Sequence, residues 1–175
     1  MWLLRGSLPG FLSEDALNGR GELLIGRIIG LDVGDKRIGV AVSDELGWTA
    51  QGREVIGRED GKEWEKLLAL VRETDAIEVV VGLPLSHSGQ AGVAAEKVQA
   101  FIAQWQDKIG VPVKTWDERF STVAAERVLL EGGMRRRDRR LTVDKVAAAI
   151  ILQGYLDRQA RKRAIEAKAT NPEEC

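Results

Sequence analysis

The sequence predicts an α/β protein with a mixed sheet of about five strands and helices on both faces. Two apolar, β-rich runs, Ile28–Val33 and Ile38–Val42, flank a short polar link that contains Gly34, which is typical of a hairpin. Further along, strand patterns alternate with helix patterns, and this alternation favours parallel strands joined by right-handed crossovers. The hairpin adds antiparallel pairs, so we expect both kinds of pairing in one sheet.

The remaining elements follow from the spacing of apolar residues. Trp64, Leu67, Leu68 and Val71 recur at helical intervals, and Gly110 is placed to end a second helix. In chain order, we predict a short strand over 52–57, a helix over 60–74, a strand over 77–81, a helix over 90–109, a strand over 111–116, and helices over 122–130 and 142–163, the last capped by Thr142.

The composition limits the function classes. The chain has 175 residues and a formal net charge of −1, so it is not a uniformly basic nucleic-acid binder, and any such role must rest on a local patch. Its one cysteine, Cys175, rules out an internal disulfide and a multi-cysteine metal site. No apolar run approaches the roughly 18 residues of a membrane span, and no apolar central region follows Met1–Arg5, so we do not expect these residues to be a secretory signal. We therefore expect a cytoplasmic protein with no membrane partner.

The chain divides into three segments. Residues 1–26 have no clear period and several glycines, which predicts an extension ahead of the domain that could be disordered. Residues 27–163 hold all the predicted elements and form the domain. Residues 164–175 are a polar tail that we expect to be frayed.

Three acidic residues come from three different elements. Asp32 interrupts the apolar run at the end of the first strand, Glu118 closely follows the last strand, and Asp144 lies in the first turn of the last helix. Ligands gather at the carboxyl ends of parallel strands, so the fold can bring these side chains to one spot. Three neighbouring acids repel unless cations hold them, and oxygen ligands suit Mg²⁺ or Mn²⁺. Two such ions about 4 Å apart would support phosphodiester cleavage.

Each acid also has an ordinary structural interpretation. Asp32 could be a turn aspartate that binds its own backbone, and Asp144 could complement the helix dipole. Glu118 could cap a helix or pair with Arg119. The single histidine, His87, lies in a Ser/Gly loop, which makes a Ser-His-Asp triad a poor explanation.

Four motifs follow one another along residues 27 to about 156. These are Leu31–Ala41, Val80–Leu85, Asp117–Thr122 and Asp144–Leu156. In this order they resemble the motifs of one known family, the YqgF family of bacterial ribonuclease H-like proteins, described as Holliday junction resolvases and as pre-16S ribosomal RNA nucleases.

The resemblance implies a ribonuclease H-like fold and divalent-metal nuclease chemistry with Asp32, Glu118 and Asp144 as the catalytic and metal-binding acids. Two features depart from the family pattern. The loop 86–89 reads Ser-His-Ser-Gly where the family usually has Asn and Asp before Gly, which puts any substrate contact of that loop in doubt. The extension 1–26 also lies outside the pattern.

A basic run precedes Asp144. Guanidinium groups suit phosphate oxygens, although a solvated polar loop is the ordinary interpretation of such a run. Its closeness to the acids favours binding of the nucleic-acid backbone without reading of sequence. The candidate substrate-binding residues are Lys36, Arg37, Arg119, Arg135, Arg136, Arg137, Arg139 and Arg140.

Three functions remain open at this point. The first is a metal-dependent endonuclease acting on branched DNA or on precursor ribosomal RNA; symmetric cutting of a junction would require a homodimer. The second is a non-catalytic RNA-binding factor of ribosome assembly. The third is a phosphotransferase related to actin and sugar kinases, which the short chain argues against because that architecture needs two such domains.

Overall fold

A computed structural model describes residues 26–85, 92–118 and 136–170, with the backbone alone over 136–141 and 166–170. The elements are β1 (Arg27–Val33), β2 (Arg37–Ser43), β3 (Ala50–Gly57), α1 (Glu63–Glu73), β4 (Ala76–Leu83), α2 (Val93–Ile109), β5 (Val113–Asp117) and α3 (Arg136–Thr170).

The five strands form one mixed sheet in the order β3-β2-β1-β4-β5. β1 pairs antiparallel with β2 and parallel with β4, while β3 extends the antiparallel side and β5 the parallel side. The predicted five-stranded mixed sheet with helices on both faces is confirmed. The hairpins supply the antiparallel half because their connections are short, and the helical crossovers supply the parallel half.

One face of the sheet packs against α1 and α2 through large apolar side chains. Leu31 and Val81 are fully buried there, and they contact the same core as Leu67 of α1. Phe101 of α2 stacks on Trp64 of α1 with ring centroids 4.4 Å apart. As predicted, α2 stops at Gly110, whose φ of 78° is a left-handed conformation that favours glycine.

The other face packs against α3. Its core is smaller and includes Ala148, Ile151 and Leu152 of the helix with Ile28 and Val80 of the sheet. Strand positions alternate between the two faces, so the neighbours of Leu31 on β1 point toward α3. Asp32 therefore lies on the α3 side of the sheet.

The last helix differs from its prediction at both ends. It begins at Arg136 rather than at Thr142, and it runs to Thr170 rather than to 163. Arginine and alanine are good helix formers, so the helix continues where no apolar period marks it. The basic run from Arg136 to Arg140 is thus helical rather than a loop, and residues 164–170 of the expected tail are helical as well. The predicted helix over 122–130 lies outside the described residues.

Candidate active site

Asp32 lies near the end of β1, between two strands that carry glycine beside it. On one side Asp32 pairs with Gly39 of β2. On the other side Leu31 pairs with Val81 of β4, so Gly82 is the next position along that strand. The carboxyl end of a central parallel strand is where ligands of open α/β sheets bind.

Glu118 reaches toward Asp32 across β4. It follows Asp117, the last residue of β5, which pairs with Leu83. A Cβ atom placed on Gly82 would come within 2.2 Å of Glu118 Oε1, so the Glu118 carboxylate lies directly over this glycine. A side chain at Gly82 would push Glu118 away from β1.

Asp144 approaches Asp32 from the helix. A Cβ atom on Gly39 would lie 2.0 Å from the Asp144 carbonyl oxygen, so the first part of α3 rests on the backbone of β2. Arg37, the first residue of β2, donates from Nε to Asp144 Oδ2 at 2.7 Å. The side chains are partly exposed, 36% for Arg37 and 21% for Asp144. This ion pair attaches the helix acid to the hairpin that carries Asp32.

Asp32 interacts electrostatically with both of the other acids, Asp144 and Glu118. Burial, with a smaller contribution from the charge of Asp144, raises the pKa of Asp32 to about 6. Burial, with the charges of Asp32 and Asp117, raises the pKa of Glu118 to about 7. Both shifts mean that burial and neighbouring negative charge disfavour the ionised carboxylates. A cation bound among these acids would remove that cost.

The acids are not arranged as a closed metal cage. Among the residues that the structure describes, no group of three or more histidine, cysteine, aspartate or glutamate side chains is positioned to hold an ion. One oxygen of Asp144 already binds Arg37 at 2.7 Å. Asp32 therefore lies within range of the charges of both Glu118 and Asp144, without the three sharing a ligand position.

A family model described as RuvX, Holliday junction resolvase, matches residues 26–158. The chain belongs to the RuvX family. This is the family, also called YqgF, that the four sequence motifs resemble, so the predicted membership is confirmed. Holliday junction resolvases are nucleases, and this RuvX-family member is accordingly a hydrolytic nuclease of the α/β class.

Curated relatives are similar over almost their whole length. A protein of Desulforamulus reducens is 52% identical over 136 residues, which are 77% of this chain and 99% of that protein. A protein of Moorella thermoacetica is 54% identical over 133 residues, 75% of this chain and 95% of that protein. Both are named "Putative pre-16S rRNA nuclease".

The comparison with solved structures is more distant. The structure titled "T. thermophilus RuvC in complex with Holliday junction substrate" is 17% identical, covers 77% of this chain and 96% of that chain, and has a TM-score of 0.49.

The candidate substrate-binding residues have different surroundings in this RuvX-family protein. Lys36 is exposed in the turn between β1 and β2, whereas Arg37 is paired with Asp144. Arg119 and Arg135 lie outside the described residues. The backbone of the remaining arginines forms the first turns of α3, ahead of Asp144 on the same helix; these residues are Arg136, Arg137, Arg139 and Arg140.

Sequence reasoning missed the two glycines that admit Glu118 and Asp144. Gly39 and Gly82 each stand inside an apolar strand pattern, and an isolated glycine there is a signal of close backbone approach. Trp48 is 73% exposed in the turn between β2 and β3. No helix in the described part of the chain is both long and apolar enough to cross a membrane.

Proposed function

We propose that this RuvX-family protein is an endonuclease that hydrolyses phosphodiester bonds of structured nucleic acid with Mg²⁺ or Mn²⁺. One observation carries the proposal: Asp32 lies at the carboxyl end of a central parallel strand, where the charge of Asp144 acts on it and its own charge acts on Glu118. Surface acids that serve only as caps or turn residues are solvated and are not held together in this way.

The chemistry of these residues fits a hard divalent cation. All three offer carboxylate oxygens, which suit Mg²⁺ or Mn²⁺, and none offers nitrogen or sulfur. The raised pKa values of Asp32 and Glu118 mean that a cation would bind with release of protons and relief of repulsion. Bound by these acids, a pair of ions would supply an activated water and charge stabilisation for the leaving oxygen.

Within this arrangement the residues have separate tasks. Asp32 is fixed by the sheet, and Asp32, Glu118 just after β5 and Asp144 of α3 would hold the cations with their carboxylate oxygens. Arg37 holds Asp144 and keeps its charge compensated when no cation is bound. The acids are thus presented by three separate elements whose spacing the glycines set.

The backbone of the nucleic acid would bind the first turns of α3. The helix places Arg136, Arg137, Arg139 and Arg140 ahead of Asp144, which supports phosphate binding beside the cutting site. Replacing Arg136 and Arg137 with alanine should weaken binding and reduce the slope of affinity against salt concentration by about one unit per lost phosphate contact. Binding measured between 50 and 200 mM salt (roughly the range in which counterion release is resolved) tests this, and an unchanged slope would exclude both arginines.

The proposed substrate class is taken from the names of similar proteins. The relatives of this protein are named for precursor 16S ribosomal RNA, and its family is named for Holliday junctions. We propose processing of the precursor 5′ end, resolution of junctions, or both. Symmetric junction cutting requires a homodimer with two sites related by a two-fold axis, whereas RNA trimming needs one site.

A cleavage panel tests the function. Four-way junctions, duplexes, single strands and precursor ribosomal RNA are incubated with Mg²⁺ or Mn²⁺, with wild type compared against Asp32→Asn. We expect the wild type to cut a structured substrate and Asp32→Asn to lose at least about a hundredfold in rate, because one of the proposed cation ligands is gone. Asp35→Asn is the matched control, since Asp35 lies three residues away but is exposed and paired with Lys97.

The panel also separates the alternatives. Tight binding of RNA without cutting under any condition would favour the non-catalytic assembly factor. Full activity of Asp32→Asn would remove this acid from the mechanism.

A further inference from the structure

The turn between β1 and β2, residues 34–36, is held from outside the site by Arg58. The Arg58 guanidinium donates from Nη1 to the Gly34 carbonyl oxygen at 2.8 Å. Its backbone N–H donates to the Lys36 carbonyl oxygen at 3.0 Å. Arg58, which directly follows the last residue of β3, therefore binds both the first and the last residue of the turn.

This turn connects the elements that carry two of the three acids. Asp32 lies two residues before Gly34 on β1. Arg37 lies immediately after the turn and binds Asp144 Oδ2 at 2.7 Å. A displacement of the turn would therefore move Asp32 through the chain and Asp144 through the Arg37 ion pair.

Arg58 is itself fixed on its far side. Its Cζ lies 5.0 Å from the centroid of the Phe101 ring, and its Nε lies 3.7 Å from Glu63 Oε1. The Glu63 side chain is only 9% exposed, so the guanidinium compensates a carboxylate that would otherwise be costly to bury. Phe101 stacks on Trp64, which connects Arg58 to the core between α1 and α2.

The turn has a second, weaker support. Lys97 of α2 binds Asp35 at 2.9 Å, but the two side chains are 60% and 76% exposed. Exposed pairs of this kind contribute little because solvent screens them and the side chains lose entropy. A cleft of about 410 Å³ borders the turn, and its lining includes Gly34, Arg58 and Lys97. Of the two side chains that support the turn, Arg58 is the more buried, with 26% of its side chain exposed against 60% for Lys97.

We propose that Arg58 is a positioning residue for the nuclease site: it fixes the β1–β2 turn and thereby sets the placement of Asp32 and Asp144 for cation binding. The inference rests on the proposed function, because it assigns Arg58 to the same acids. Arg58 does not touch substrate or cation in this role, and it acts through the two carbonyl oxygens and through Arg37.

The test compares Arg58→Met, Arg58→Lys and the control Lys97→Met in the full chain. Methionine keeps the packing on Phe101 but removes the hydrogen bond to Gly34, and lysine keeps a charge near Glu63 without the planar fork. We expect Arg58→Met to lower kcat about tenfold or more and to raise the Mg²⁺ concentration for half-maximal activity, with KM for nucleic acid nearly unchanged. Arg58→Lys should be nearly as stable as wild type, but it should still need a higher Mg²⁺ concentration for half-maximal activity.

Two further readouts do not need activity: hydrogen exchange at the Gly34 amide and the shift in Tm that Mg²⁺ produces. Arg58→Met should exchange faster at Gly34 and gain less Tm from Mg²⁺ than wild type, while Lys97→Met should match wild type in both. If the wild type cuts no substrate, these two changes would still support the positioning role while the nuclease proposal fails. Unchanged exchange and Mg²⁺ dependence in Arg58→Met, or a loss of stability alone, would overturn the proposal.

Discussion

The two faces of the sheet are packed in opposite ways. Toward α1 and α2, the strands present large side chains such as Leu31 and Val81, which are fully buried. Toward α3, four adjacent strands each present a glycine where the helix, or Glu118, comes close: Gly52 on β3, Gly39 on β2, Gly30 on β1 and Gly82 on β4. The first face, here called the filled face, is occupied by large side chains; the second, the glycine face, has a smaller apolar core and a glycine at each of these close approaches.

The difference separates stability from placement of the acids. The filled face buries most of the apolar core, which is the main source of folding free energy. The glycine face allows backbone to touch backbone, so an acid on a helix can lie beside an acid on a strand. Adding volume should therefore damage the site on one face, whereas removing volume should damage stability on the other.

The largest expected effect comes from adding one methyl group on the glycine face. In Gly39→Ala the new Cβ would lie 2.0 Å from the Asp144 carbonyl oxygen, so α3 must move. We expect a loss of about 3 kcal/mol in stability and at least about a hundredfold in cleavage rate, because backbone atoms cannot rotate away. Urea unfolding and the cleavage assay measure both.

Gly57→Ala is the control for this change. Gly57 ends β3 and would place its Cβ where no heavy atom lies within 4 Å. Normal activity in Gly57→Ala and in Gly39→Ala alike would refute the role of close helix approach.

The opposite face should respond to removal of volume. Leu67 of α1 is 1% exposed, and Leu67→Ala would leave a cavity in the filled core. We expect a loss of about 3 kcal/mol in stability, with the cleavage rate of the folded protein unchanged. Rates measured well below the unfolding temperature check this, and a rate loss as large as that of Gly39→Ala would end the distinction between the faces.

The smallest effect concerns the charge on the glycine face. The pKa of Asp32 is about 6 in the folded protein and 3.8 as the ordinary value, so folding favours its protonated form. The cost is absent below about pH 4, grows between about pH 4 and pH 6, and levels off above pH 6 at roughly 2 to 3 kcal/mol. Asp32→Asn should therefore be more stable than wild type at neutral pH without divalent cations.

Urea unfolding in a chelating buffer at pH 4 and pH 7.5 measures the difference, which should shrink when Mg²⁺ is added. Asp35→Asn provides the comparison, because Lys97 lowers the pKa of the exposed Asp35 and its replacement should bring no gain. If Asp32→Asn and wild type were equally stable at neutral pH, the ionised Asp32 carboxylate would not destabilise the folded protein.

The sequence contained much of this architecture. Apolar runs and helical spacing predict each strand and helix of the described residues, with ends that differ by at most three residues except in the last helix, because apolar spacing reports burial directly. The start of α3 was misjudged since its first turns carry arginines, which form helix without leaving an apolar period. Arg58 could not be found, because a contact between residues 58 and 34 depends on tertiary structure that no local pattern encodes.

The continuity of α3 has a geometric consequence. Arg136 and Asp144 belong to one uninterrupted helix and lie eight residues apart, which at 1.5 Å per residue is about 12 Å along the axis. A phosphate bound by the basic first turn would therefore lie at a fixed distance from the bond that is cleaved. The helix would then determine the position of cleavage by distance along the nucleic-acid backbone and not by base sequence.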